Sequence, residues 1–260
     1  LFNLGYLHAK VSVEEKYVDH KVRLNYKLHP GRRYIVETVD VNVQDTALAD
    51  EIAQISDASI LKPGMPFDAN VLNQERSRIT DHLTDNGYFN FNRDFIRFTA
   101  DTTAGSELVR LKMVVSNFIS ATENKSRPHQ KYRIGDVAFT YDRCNGSPIW
   151  LRNSVLRNAN NLISGDIYSE SKVSATYGRL NQLSAIAATN ILLEPNPVDT
   201  SLLAVRIVLT PARLNSVQLG LDGTNTAGDL GAAANFSYQN RNVFHGSEVF
   251  SLKFRTAFEA

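Results

Sequence analysis

A chain of 260 residues with 43% hydrophobic and 21% charged side chains has an ordinary globular composition. Its length fits about two domains, or a larger number of small repeated modules. A net charge of +1 with both signs interspersed excludes a nucleic-acid-binding surface. The single cysteine, Cys144, excludes an internal disulfide framework and a thiolate metal cluster, and the six histidines show no paired ligand spacing. No apolar run approaches the ~20 residues of a transmembrane helix, and no signal peptide is visible. The sequence opens inside what reads as a repeat and closes inside a strand pattern, so it reads as a piece of a longer protein.

In chain order, Gly5-Tyr6-Leu7 precedes a strand pattern over 10–17, a turn at Asp19-His20 and a second strand over 22–28. Residues 33–115 form the unit around which the rest is organised. Its first run, 34–41 (Tyr-Ile-Val-Glu-Thr-Val-Asp-Val), alternates and is rich in β-branched residues, so it predicts a half-buried strand. Helical patterns follow over 47–55 and 69–85, separated by Pro63-Gly64-Met65-Pro66. Asp68 is placed to cap the second helix, and Gly87 to end it. Strand patterns over 91–100 and 107–115, joined by a polar turn at 101–106, complete the order strand, helix, helix, strand, strand.

The same order recurs. Gly5-Tyr6-Leu7 parallels Gly87-Tyr88-Phe89, and Val22-Arg23-Leu24 parallels Val109-Arg110-Leu111, so 1–31 reads as the last part of a module and 32–118 as a complete one. Residues 119–130 read as a linker or an elaborated strand end, with 120–126 as an alternative flexible arm. A third copy occupies 131–212: its first strand (131–139) aligns with 33–41, Gly165 with Gly64 and Tyr168 with Phe67. Its helix candidates are 150–160 and 171–186, and its strand pair is 188–194 with 202–210. It carries Ala187-Ala188-Thr189 where a Gly-Tyr-aromatic step is expected. Over 213–260 glycine, asparagine and alanine rise, and strands near 217–221, 231–238 and 248–258 alternate apolar with polar residues, with hairpin turns expected at 225–229 and 240–247. Such strands carry the weak signature of a membrane β-barrel, and they equally fit a soluble antiparallel sheet with one wet face.

Tandem modules of this kind followed by glycine-rich amphipathic strands resemble the outer-membrane assembly proteins of the Omp85 family (BamA/TamA, surface antigen D15 type). The residues that carry the resemblance are Gly87, Tyr88 and Phe89 (a module hinge), the module start at 131–137, and the barrel-turn motif Asn240, Asn242, Phe244, Gly246 and Glu248. The family has glycine where His245 stands, the third module lacks Gly-Tyr-Phe, and the family's barrel is much longer than the three strands visible here. The resemblance implies an α+β fold of tandem POTRA modules (β-α-α-β-β, a three-stranded sheet with two helices on one face), followed by truncated antiparallel β-barrel strands at the outer membrane, the modules facing the periplasm.

An uncovered sheet edge presents unpaired main-chain groups to which an extended peptide can add. By resemblance, that edge is the first strand after the helices, with Phe91, Arg93, Phe95, Ile96, Arg97 and Phe98 as contact residues and 10–17 and 188–194 as its counterparts. The partners implied are unfolded outer-membrane β-barrel proteins, accessory lipoproteins or other periplasmic proteins, and the outer membrane through the full barrel. The exposed amphipathic strands predict self-association. Alternative readings are a two-partner-secretion type transporter of one dedicated passenger, or a non-catalytic structural or adhesive β-rich protein. Asp19, Asp40, Asp85 and Asp101 fall at predicted turns or strand ends, Gly135-Asp136 and Gly165-Asp166 read as turns, and no phosphate-cradling loop appears. No catalytic constellation, cofactor or metal site is expected.

Overall fold

The computed structural model describes residues 1–18, 20–103, 107–119, 126–142, 151–226 and 229–259. Asp19, Cys144, Trp150, the middle of the 101–106 turn, the arm at 120–125 and the tip of the 225–229 hairpin lie outside the described residues. The chain divides into two compact units, Leu1–Lys131 and Tyr132–Ala260.

The first unit opens with an antiparallel hairpin, β1 (Lys10–Val18) against β2 (Lys21–His29), which pairs Val13 with Tyr26 and Tyr17 with Val22. This register puts Val11, Val13, Tyr17, Val22, Leu24, Tyr26 and Leu28 on one face, and all of them are exposed. Next come β3 (Ile35–Val43), α1 (Thr46–Gln54), α2 (Ala69–Asp85), β4 (Ile96–Asp101) and β5 (Leu108–Val115). The sheet order is β3-β5-β4, with β3 parallel and β4 antiparallel to the central β5. The central position explains why alternate residues of β5 are the most buried: Val109, Leu111 and Val115 are completely covered. The helices contribute Leu48, Ile52, Leu72, Ile79 and Leu83 to the same core, at helical spacing.

Local chemistry sets the helix ends. Asp68 accepts the Asn70 main-chain N–H at 2.8 Å and starts α2. Gly87 takes φ 101 just past its end, a conformation in which a side chain is strained. The strand expected from Phe91 is shorter: Arg93–Phe95 form a 3-10 turn, capped by the Asn92 side chain on Asp94 N. Phe91, Arg93 and Phe95 therefore precede the edge strand. After β5, the expected linker contains a two-residue antiparallel pair, β6 (Phe118–Ile119) with β7 (Ser126–Arg127).

The second unit repeats the plan with β8 (Arg133–Tyr141), α3 (Asn153–Ala159), α4 (Glu170–Asn181), β9 (Ile186–Pro195) and β10 (Leu202–Pro211), in the sheet order β8-β10-β9. The repeat holds at the level of single bonds. Gly64 N donates to Val36 O and Gly165 N to Ile134 O; Phe67 N donates to Tyr34 O and Tyr168 N to Tyr132 O. Both glycines have positive φ, 85 and 90. Two sequence expectations are corrected here. Helix α4 ends at Asn181 rather than Ile186, which already belongs to β9. Gly135-Asp136 is not a turn but lies inside β8, where the pairing to β10 slips between Ile134 and Val137. It is a bulge, and a Cβ at Gly135 would sit 3.1 Å from Leu203 O.

The chain ends in an open antiparallel sheet of β11 (Asn215–Thr226), β12 (Asp229–Asn240) and β13 (Phe250–Glu259), in that order. Register aligns Leu219, Phe236 and Phe254 across the three strands, and Val217, Tyr238 and Leu252 beside them. One face is therefore apolar and exposed. The opposite face carries Gln218, Ser237 and Lys253 in one row and Gly220, Asn235 and Arg255 in the next.

Candidate peptide-binding edge and turn motif

Strand β4 is a sheet edge, as are its counterpart β9 and both outer strands of the last sheet. Alternation splits the predicted contact residues of β4. Ile96 points into the core at 1% exposure, and Phe98 packs against both halves of that core. Arg97 is exposed, as is Arg93 in the preceding turn. The start of the edge is guarded from α2: Arg76 Nε donates to Ile96 O at 2.9 Å, and its guanidinium lies 5.4 Å from the Phe98 ring centre. The open stretch of edge is thus the half toward Asp101.

Phe91 and Phe95 serve a different structure. They surround His129 with Phe118; the Phe95–His129 centroids are 4.6 Å apart in an edge-on arrangement. His129 Nδ1 lies 2.6 Å from Asp45 Oδ2, which also accepts the His129 main-chain N–H at 2.7 Å. Asp45 Oδ1 accepts Ala47 N at 2.8 Å and caps α1. Asp45 and His129 are both buried, and His129 Nε2 has no partner among the described residues. Burial pushes the imidazole below its ordinary value, against the pull of Asp45. That fits a neutral ring with its proton on Nδ1, since a second proton on Nε2 would be a buried donor without an acceptor. This anchor of the segment after β7 was missed by sequence reasoning. Asp45 before a helical run signals a cap, but nothing in the sequence couples it to a histidine 84 positions away.

Of the Gly-Tyr-Phe step, Tyr88 is almost completely buried, and its hydroxyl donates to Ala47 O at 2.8 Å, tying the end of α2 to the start of α1. Burial and the charges of Glu51, Asp45 and Asp50 push its phenol up to about 12. Among buried carboxylates, Glu75 accepts both arms of Arg78 at 2.7 and 2.9 Å and the Ile60 N–H at 3.2 Å. Burial opposes its ionisation, but these bonds and Ser59 prevail and hold it below the usual carboxylate range. It closes one side of an apolar cleft of about 450 Å³ between β3, α1 and α2. Among the described residues no group of three metal-ligating side chains occurs.

The turn motif is built around Asn242, which is buried. Its Oδ1 accepts Ser247 N at 3.0 Å, and its own N–H reaches Asn240 Oδ1 at 2.9 Å. Glu248 accepts main-chain N–H groups from its own residue, Gly246 and Phe244, which keep its carboxyl below the ordinary range. Phe244 is exposed. His245 and Ser247 hold φ 60 and 67, unusual for residues with a Cβ. The turn rests on the module beside it: Arg152 N donates to His245 O at 2.9 Å, and Ala185 N to Ser247 Oγ at 2.9 Å.

Repeated strand-helix-helix-strand-strand units running into an amphipathic sheet match the crystal structure of BamA from Haemophilus ducreyi lacking POTRA domains 1–3. The TM-score is 0.58 at 14% identity, over 87% of this chain and 37% of that one. The fold is that of POTRA modules leading into barrel strands. The POTRA3–5 structure of BamA from Haemophilus influenzae also aligns (TM-score 0.49, 15% identity, 80% of this chain and 74% of that one). So does CdiB from Acinetobacter baumannii (TM-score 0.44, 12% identity, 88% and 39%). No protein-family model and no curated protein match the sequence. In POTRA terms, β4 and β9 are the edge strands that follow the helix pair.

Proposed function

We propose that this chain is the periplasmic region, with the first barrel strands, of an outer-membrane protein assembly factor. Its POTRA modules capture unfolded β-barrel proteins by strand addition and pass them toward the membrane, and accessory lipoproteins or periplasmic proteins dock on the same modules. The observation that carries the reading is the run of open edges. β4, β9, β11 and β13 each lack a neighbour on one side among the described residues, and an edge offers main-chain bonds that are largely indifferent to a client's side chains. The apolar face of β11–β13, with Leu219 81% and Phe254 64% exposed, supports a membrane-facing role.

The test is amide chemical-shift mapping on the full chain with extended segments taken from a barrel protein. Shifts concentrated in 96–101 and 186–195, and abolished when alternate peptide nitrogens are methylated, are expected. Shifts confined to the helices or to the β3–α1–α2 cleft refute edge capture. Binding of one passenger sequence and no other barrel segment refutes the general assembly role in favour of a dedicated transporter.

A further inference from the structure

The apolar cleft between β3, α1 and α2 lies inside the first unit, at the opposite side of the sheet from β4. Its walls include Val39, Val41 and Val43 from β3, Ile52 from α1, Ile79 from α2 and Met113 from β5. Val41 is 53% exposed, while Met113, its partner across the strand pair, is 4% exposed. The helices therefore cover the centre of the sheet and leave the β3 side open. The volume of about 450 Å³ falls in the range of small-ligand sites, about 300–1,000 Å³. The polar lining is one connected group. Ser59 N donates to Ser56 O at 3.0 Å, Ile60 N to Glu75 Oε2 at 3.2 Å, and Arg78 to Glu75.

The repeat shows which of these groups the fold itself needs. Where Ile60 N meets Glu75, Asn161 N in the second module donates to Thr176 Oγ1 at 2.9 Å. Glu75 and Thr176 are both buried, and each stands one turn before a buried core residue, Ile79 or Leu180. A hydroxyl thus satisfies this loop as a carboxylate does, without the cost of desolvating a charge. What Glu75 adds is a fixed guanidinium. It accepts Arg78 Nε and Nη2 at 2.9 and 2.7 Å and leaves Nη1 outside the pair. The Glu75 side chain is 2% exposed and that of Arg78 26%, so the charge presented at the cleft is the cation. The strand differs in the same sense. Val41 and Val43 pair with Met113 and Val115, while the equivalent residues of β8, Phe139 and Tyr141, pair with Ile207 and Leu209. The small valines and the buried carboxylate occur together in the first module and are replaced together in the second. We propose that the cleft binds a single-chain amphiphile with a carboxylate head. The hydrocarbon chain lies along Val39, Val41 and Val43, where it leaves water, and the planar carboxylate accepts from Arg78 Nη1.

The test is a titration of the full chain with dodecanoate below its micelle concentration, read by methyl chemical shifts. Shifts are expected at Val39, Val41, Val43 and Ile79, with binding about 10-fold tighter than that of dodecyltrimethylammonium, whose head repels the guanidinium. Val41→Phe, which copies Phe139, should abolish these shifts while the Val109 and Leu111 methyls keep their positions. Glu75→Thr combined with Arg78→Gln removes the ion pair together and keeps an acceptor for Ile60 N. It should weaken dodecanoate about 10-fold and leave dodecanol unchanged. Shifts confined to the last sheet, equal binding of the two head groups, or a Val41→Phe variant that binds as well as the parent chain each overturn the proposal. Strand capture is read elsewhere, at 96–101 and 186–195, so either reading can fail while the other stands.

Discussion

Replacing Asp45 by alanine removes three hydrogen bonds from one buried carboxylate. The α1 cap is lost, which costs about 1 kcal/mol. The His129 main-chain N–H and ring N–H lose their acceptor in a site where His129 is 5% exposed. Each buried donor left unsatisfied costs about 1–3 kcal/mol. The segment after β7 has some freedom to swing toward water, so a total of about 3–5 kcal/mol is expected, a large share of the roughly 5–15 kcal/mol that holds a domain together. Asp45→Asn keeps one acceptor and should cost about half as much. The assay is native-state hydrogen exchange across a urea series in the full chain, read at the α1 amides so that only the first unit reports. A loss below about 1 kcal/mol for Asp45→Ala, no more than an exposed cap, refutes the claim that the carboxylate anchors His129.

Acid should weaken the first unit through His129. Its folded-state value is depressed, so the unfolded chain binds the proton first. The stabilisation is complete above about pH 6.5 and is lost as pH falls through the lower folded value. Urea midpoints at pH 7.5, 6.5 and 5.5 should fall in that order, and His129→Gln should flatten the series. Glu75, also depressed in the folded state, acts in a separate window. Its contribution is present above about pH 4.3 and is lost below it, so Glu75→Gln should remove the steepest part of the acid limb below about pH 4.3. Gly5→Ala, at φ 87 with Phe67 O at 2.6 Å, should cost more than about 1 kcal/mol. Gly64→Ala, at φ 85 with open space around it, should cost less; thermal melts of the two variants compare them directly. Light scattering should show that the full chain self-associates, and that Leu219→Asp with Phe254→Asp, or removal of 213–260, lowers the number of chains per particle. An unchanged number of chains would refute pairing through the last sheet.

Much of the architecture was written in local pattern. The order of strands and helices, the bounds of α2, the Asp68 cap and the Gly64/Gly165 equivalence all depend on residues close in sequence, where periodicity, proline and glycine act directly. The misreadings share one cause. Phe91 and Phe95 look like strand residues by alternation, yet they pack around a histidine more than thirty positions later. Gly135-Asp136 looks like a turn by composition, yet pairing with β10 makes it a bulge. Helix α4 stops at Asn181, short of the expected end, and Ile186 pairs with Pro211 of β10 instead. Similarly, the sequence pointed to an edge strand after the helices, but only the tertiary structure decided which half of it Arg76 leaves open. The same structure joined Asp45 to His129 and Tyr88 to Lys131. A sequence determines by itself what neighbouring residues can satisfy among themselves; which distant group takes the remaining hydrogen bond or ring face is decided only when the chain closes on itself.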